Sequence, residues 1–246
     1  RDKYKVYGEL INTYGYNLEP GSKKLTALNY YTNEEITIPL DPTQTPGENA
    51  QRYFAKYNKQ KRTFEALTEL IQETADDIQY LESISNALDI ALSEADLAQI
   101  KEELMQSGYI RRKHTKKKVK LTSKPMHYIS SDGYDMYVGK NNLQNEELTF
   151  SFANGNDWWF HAKGAPGSHV IVKSGGDELP DRTFEEAGRL AAYYSKNRGA
   201  DKVEIDYIQK KHVKKPNGAK PGFVVYYTNY SLVIDSDISN IKNVQD

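Results

Sequence analysis

The apolar positions change period along the chain, and each period predicts an element. In residues 1–14, Tyr4, Tyr7, Leu10, Ile11 and Tyr14 recur at spacings of three and four, which predicts a helix stopped by Gly15. Over residues 16–42 the helical period is gone. Leu25–Tyr31 and Glu35–Leu40 are rich in Thr, Tyr and Ile, with Thr32-Asn33-Glu34 between them, so a small β-hairpin is predicted. Pro39, Pro42 and Pro46 then break the chain repeatedly. From about 47 to 92 a 4-3-4-3 seam runs through Tyr53, Tyr57, Gln60, Phe64, Leu67, Ile71, Thr74, Ile78, Leu81, Ser85, Leu88 and Leu92. Nine of these twelve are apolar, which predicts one long coiled-coil helix, interrupted at Gln60, Thr74 and Ser85. A second helix over about 94–107 starts at the Ser93–Asp96 cap, buries Leu97, Ile100 and Leu104, and ends at Gly108. Forty residues of the long helix make a rod of about 60 Å, of which residues 1–14 cover about 20 Å. The rest of the seam needs a partner: an upstream helix, a second chain, or the C-terminal domain.

The pattern turns to alternation near Pro125. Met126–Ser130 and Tyr134–Val138 flank Ser131-Asp132-Gly133, a hairpin signal. Asn141 or Asn142 caps a short helix carrying Leu143, Leu148 and Phe150. Strands near Trp158–Ala162 and His169–Lys173 form a second hairpin across a Gly/Pro turn. Thr183–Glu186 has the form of a capping box for a helix to Arg198, with Gly199 as its stop. Strands Lys202–His212, Phe223–Thr228 and Ser231–Asp235 complete the domain. The expected fold class is α+β: a long coiled-coil helix with a small β-hairpin tip, followed by an antiparallel-sheet domain with one main helix packed on it. The expected organisation is 1–108 for the coiled coil and middle region, 109–125 for a linker, and 126–246 for the sheet domain.

Charge refines this picture. The net charge is −1, but residues 109–126 hold eight Lys/Arg and no acid, and residues 196–222 hold eight against three acids. Thr63–Glu103 is strongly acidic. Such segregation implies a basic face beside an acidic rod and gives the basic linker a phosphate-tracking role. The composition, 38% hydrophobic and 27% charged, lacks any run of the roughly 20 apolar residues needed to span a bilayer. Absence of cysteine excludes disulfides and thiol catalysis and fits a reducing cytoplasm. The chain opens Arg1-Asp2-Lys3 in a helical pattern, which reads as a fragment of a longer protein.

The candidate chemistry lies in two stretches. Asp157–His169 contains both tryptophans and two of the five histidines. His161, His169 and Ser168 invite a nuclease or hydrolase reading, but no nucleophile elbow, metal-ligand spacing, phosphate loop or dinucleotide fingerprint accompanies them. No catalytic residue, metal or cofactor is expected. Lys210–Gly222 puts five lysines in thirteen residues, with two prolines and two glycines to give the loop shape. Strand alternation places Trp159 and His161 on one face and Trp158, Phe160 and Ala162 on the other. One face feeds the core, and an exposed Trp159 or His161 beside lysines would form a stacking platform for an unpaired base. The candidate RNA-binding residues are Lys140, Asn141, Asn142, Trp159, His161, Lys163, Ser168, His169, Lys210, Lys211, His212, Lys214, Lys215 and Lys220.

These stretches carry a resemblance. Asp132-Gly133, Val138–Asn142 with Gln144-Asn145, Trp159-Phe160-His161, Pro166–Val170 and Lys211–Gly222 resemble the C-terminal RNA-binding domain of the NFACT family. Asn49-Ala50-Gln51 with Tyr53, Phe54 and Tyr57 is similar to the start of that family's second coiled-coil arm, with 16–42 as the domain at its tip. Gly164-Ala165 departs from the Asp and branched apolar residue of many members, and Glu146 replaces a frequent Asp. The family's N-terminal domain has no counterpart here. The resemblance implies a cytoplasmic role in ribosome-associated quality control. The protein would bind tRNA and the large ribosomal subunit and support template-free tailing of stalled nascent chains, with no covalent chemistry of its own. For some relatives it implies instead an anchorless surface adhesin that binds fibronectin.

Overall fold

A computed structural model describes residues 2–111 and 122–244. Most of the linker expected over 109–125 therefore lies outside the described residues. The chain divides into two compact units, Arg1–Asp76 and Asp77–Asp246. Among the described residues no helix is long and apolar enough to cross a membrane.

The first unit holds α1 (Asp2–Tyr14), the antiparallel hairpin of β1 (Lys24–Asn29) and β2 (Glu34–Pro39), and the first part of α2 (Pro46–Ile90). Leu25 stands opposite Ile38 in the hairpin, and both bury with Leu10, Ile11, Ala50 and Tyr53. Asn33 closes the turn at φ 58, a left-handed conformation that Asn tolerates. Pro46, expected only to break the chain, is the first residue of α2, where its missing N–H costs nothing. A capping box surrounds it: the Glu48 N–H donates to Thr45 Oγ1 at 3.2 Å, and the Thr45 N–H donates to Glu48 Oε2 at 2.7 Å. Further along α2, Leu67, Leu70 and Ile71 are 52%, 56% and 68% exposed.

The second unit opens with the last turns of α2, which pack on α3 (Glu94–Gln106). The buried stripe there is Tyr80, Ile84 and Ala87 against Ile100. It is not the coiled-coil seam. Each buried position lies one residue before a seam position, about 100° round the helix, and Leu81 and Leu88 are exposed. Leu97, expected to be buried in α3, is also exposed.

The remainder is a seven-stranded antiparallel sheet in the order β8-β7-β5-β6-β4-β3-β9. Its strands are β3 (Met126–Ile129), β4 (Asp135–Val138), β5 (Trp158–Ala162), β6 (Val170–Val172), β7 (Val203–Gln209), β8 (Tyr230–Ile234) and β9 (Lys242–Asn243). Two helices join it, α4 (Asn142–Glu147) and α5 (Asp181–Tyr193). α5 covers one face, where Leu190 and Ala191 bury with Phe160, Ala162, Val170 and Val172. The other face carries Trp159, Ile171 and Ile208 under Leu148, Val213, Val224 and Tyr226. Strand alternation thus divides β5 as the sequence pattern requires.

Two elements differ from expectation, α5 at both ends and the strand over Phe223–Thr228. α5 starts at Asp181, and Thr183 and Glu186 do not form its cap. Thr183 Oγ1 donates to Asp132 Oδ2 at 3.0 Å, and Glu186 Oε2 accepts the Ser131 N–H at 2.8 Å. The β3–β4 turn offers those groups and captures both side chains. α5 also ends before Arg198, because the Tyr194 and Pro166 carbonyls accept the Ser168 and Lys196 N–H groups, each at 2.9 Å. The strand expected over Phe223–Thr228 is reduced to one bridge, Lys214 with Val225. Val224 and Tyr226 fold over the Trp159 face instead of extending the sheet.

Candidate nucleic-acid interface

β5 delivers His161, and the connection to β6 returns with Ser168 and His169. Several groups fix His169. Its backbone N–H donates to Asn145 Oδ1 at 3.0 Å, and its Nδ1 lies 2.8 Å from Thr149 Oγ1. Its ring stands edge-on to Trp159 and to His161, with centroids 5.1 and 5.6 Å away. Tyr226 covers Trp159 at 4.9 Å and donates its hydroxyl to Asp206 at 2.8 Å. The end of the Lys-rich loop is held from α4: Glu146 accepts the Gly222 N–H at 3.0 Å and pairs with Lys215. Gly222 is required there, because at φ +80 a Cβ would come 2.8 Å from Asn142 Oδ1.

These pieces surround a cavity of about 420 Å³. Tyr80 and Ser83 of α2, His161, the Gly164–Gly167 turn, His169 and Pro221–Val224 line it, with Tyr226. The two expected stretches therefore do meet. Burial pushes His161 down to about 4 and His169 to about 3, so both rings are neutral at pH 7. His161 keeps partial exposure, whereas His169 is buried.

Several candidate residues take positions that the sequence pattern did not anticipate. Trp159 is fully enclosed, which leaves no face for an incoming base. Ser168 is buried as well, in the segment paired with Tyr194. Lys140 reaches the buried Asp96 at 3.1 Å. Asn141 donates to Gln99 and Asn142 to Ser83, both at 2.7 Å, so this polar triplet fastens the sheet to α3 and α2. Lys163 pairs with Glu204 at 2.7 Å, and Lys220 pairs with Asp77 beside the Tyr80 ring, 4.7 Å away. Lys210, Lys211, His212 and Lys214 remain. None has a carboxylate partner among the described residues, and Lys211, His212 and Lys214 are exposed. Their turn is rigidly placed: the Lys210 and Lys211 N–H groups donate to Asp157 O at 2.8 Å and Gly155 O at 3.0 Å, and Val213 is buried. Tyr80 and Tyr226, which line the cavity, and Glu146, which holds the Gly222 N–H, were missed from the sequence. Only Glu146 left a signal, as an acid at a position where the resembled family often has Asp.

Family models match the chain from residue 1 to residue 227: the NFACT N-terminal and middle domains over residues 1–123, and the NFACT protein RNA binding domain over 124–227. The chain belongs to the NFACT family. Among NFACT relatives, proteins named Rqc2 homolog RqcH are similar throughout. That of Streptococcus pneumoniae is 42% identical over 99% of this chain, and that of Bacillus subtilis is 41% identical over 97%. The chain spans 44% and 42% of those two proteins. A solved structure, the C-terminal of the fibronectin/fibrinogen-binding protein from Streptococcus suis, superimposes with a TM-score of 0.73 at 36% identity. The match covers 98% of this chain and 88% of that one. The exposed lysine turn falls within the segment matched by the NFACT RNA-binding model, as does most of the cavity lining, and α2 supplies the rest of that lining.

Proposed function

We propose that this chain is the RNA-binding part of a cytoplasmic ribosome-associated quality-control factor. In this reading it engages tRNA and the large ribosomal subunit and supports template-free tailing of stalled nascent chains. The observation that carries the reading is the Lys210–Lys214 turn, whose backbone is held by hydrogen bonds and whose cations have no carboxylate partner among the described residues. Such a turn serves phosphate, because releasing counterions from RNA needs unneutralised charge. Similarity to the RNA-binding family model and to proteins named RqcH supports the same role. The chain's own contribution is binding and positioning, without covalent chemistry. The exposed apolar seam of α2 takes a partner helix, from the longer protein or from a second chain.

The test is the salt dependence of binding to single-stranded RNA. Replacing Lys210, Lys211 and Lys214 together by Ala should weaken binding and flatten the plot of log K against log salt by about 2, roughly 0.7 per lost contact. An unchanged slope excludes this turn as the phosphate site.

The Streptococcus suis structure favours a second reading, a surface adhesin that binds fibronectin. Tyr30, Tyr31, Tyr227 and Tyr230 are exposed and available to a protein partner. Salt-insensitive binding to purified fibronectin, with no affinity for RNA, selects that reading.

A further inference from the structure

We propose that the cavity between β5, the Gly164–Gly167 turn and the Pro221–Tyr226 segment receives a single unpaired nucleobase of the bound RNA. This deepens the RNA-binding reading and rests on it. The volume, about 420 Å³, lies in the range of small-molecule sites, about 300–1,000 Å³. His161, Phe223 and Tyr226 line it and are each only partly buried, so aromatic surface remains for stacking. Trp159 lies behind them, enclosed, and stiffens the wall: its ring is nearly parallel to His161, with centroids 5.7 Å apart.

The electrostatics select a base over a phosphate. No Lys or Arg is among the lining residues, Glu82 is, and both imidazoles are neutral. A phosphate entering this space would lose its hydration and meet no cation among the lining residues, and Lys220, beside the Tyr80 ring, is already paired with Asp77. A base carries no charge and presents a polar edge with two flat faces. Gln79 and the His161 ring supply polar groups for that edge.

The cavity is also tied to the phosphate site. Lys214 and Val225 exchange backbone hydrogen bonds of 2.9 and 2.8 Å. Val225 lies between Val224 and Tyr226, which both line the cavity. The lysine turn and the cavity wall therefore form one backbone ladder, placed to hold a phosphate on one side and its base on the other.

The experiment compares a short single-stranded oligoadenylate with an abasic oligomer of equal length, titrated into the intact chain at fixed salt. The abasic oligomer should bind about 5- to 100-fold more weakly, the range that base–aromatic stacking supplies. His161→Ala and Phe223→Ala should each erase much of that difference while leaving abasic binding and the salt slope unchanged. Tryptophan emission of the unsubstituted chain should respond to oligoadenylate and not to the abasic oligomer, a readout that needs no variant. Equal affinity for the two oligomers overturns the inference and leaves RNA binding standing. So does a base preference that both variants retain. Failure of the unsubstituted chain to bind either oligomer removes the RNA reading itself.

Discussion

Asn145 Oδ1 accepts the His169 backbone N–H at 3.0 Å and stands only 2.0 Å from where a side chain on Gly139 would begin. The Gly139 N–H in turn donates to His169 O at 3.1 Å. The exit of β4, the first turn of α4 and the entry to β6 thus close on one point, and that point holds a cavity-lining imidazole. A buried amide is satisfied there only because residue 139 has no Cβ.

Gly139→Ala should therefore destabilise the fold by about 2–4 kcal/mol, combining overpacking with loss of a buried hydrogen bond. Gly155→Ala is the comparison. Its Cβ would meet nothing closer than Lys211 Cβ at 3.6 Å, so its effect should stay within about 0.5 kcal/mol. Urea unfolding midpoints decide the matter. Equal midpoints would mean that Asn145 swings aside without cost.

The pH dependence of stability follows from the two histidines. Burial holds His161 at about 4 and His169 at about 3, against about 6.5 in an unfolded chain. Above pH 6.5 both states carry neutral rings and the pair adds no pH dependence. Below it the unfolded chain binds protons that the folded chain refuses, so stability falls as pH falls. The slope is up to about 1.4 kcal/mol per pH unit for each ring. The loss from His161 continues to about pH 4 and that from His169 to about pH 3. His161→Asn should roughly halve the slope between pH 6 and 4.5 in denaturation series. An unaltered slope would show that the His161 ring protonates in the folded chain.

Much of the fold was legible because it rests on local rules. Asp132-Gly133 makes its turn with Gly133 at φ 87, Asn141 caps α4 through a 2.9 Å bond from the Gln144 N–H, and alternation divides Trp159 from Phe160. What stayed hidden was the direction in which polar residues point. Lys140, Asn141 and Asn142 read as surface, yet they turn inward to Asp96, Gln99 and Ser83, partners 42 to 59 positions away. Thr183 and Glu186 read as a helix cap, and a distant turn outcompeted that local use. Side-chain polarity reports what a residue can bond, and only the tertiary fold decides with what.

Lys140 and Lys211 should separate stability from RNA binding. Lys140→Ala leaves the buried Asp96 carboxylate with the Ser123 hydroxyl and the Leu92 N–H alone, and should cost about 3 kcal/mol. Lys211→Ala should leave stability within about 0.5 kcal/mol and weaken RNA binding. Thermal melts and RNA titrations on both variants check this. A Lys140→Ala chain of normal stability would mean that the Lys140–Asp96 pair is open to water.

The last turns of α2 give the sharpest choice between two faces of one helix. Ile84 is 4% exposed and packs with Tyr80 and Ile100, whereas the seam residue Leu81 is 43% exposed. Ile84→Ala should cost about 2–4 kcal/mol, the transfer and cavity terms of a buried side chain. Leu81→Ala should cost less than about 1 kcal/mol in the isolated chain, since a large part of Leu81 still meets water in the folded state. Adding a helix that pairs with the seam should reverse the second result, making Leu81→Ala weaken the association while Ile84→Ala acts through folding. A larger stability loss from Leu81→Ala in the isolated chain would mean that the coiled-coil seam, and not the Tyr80–Ile84–Ala87 stripe, packs against α3.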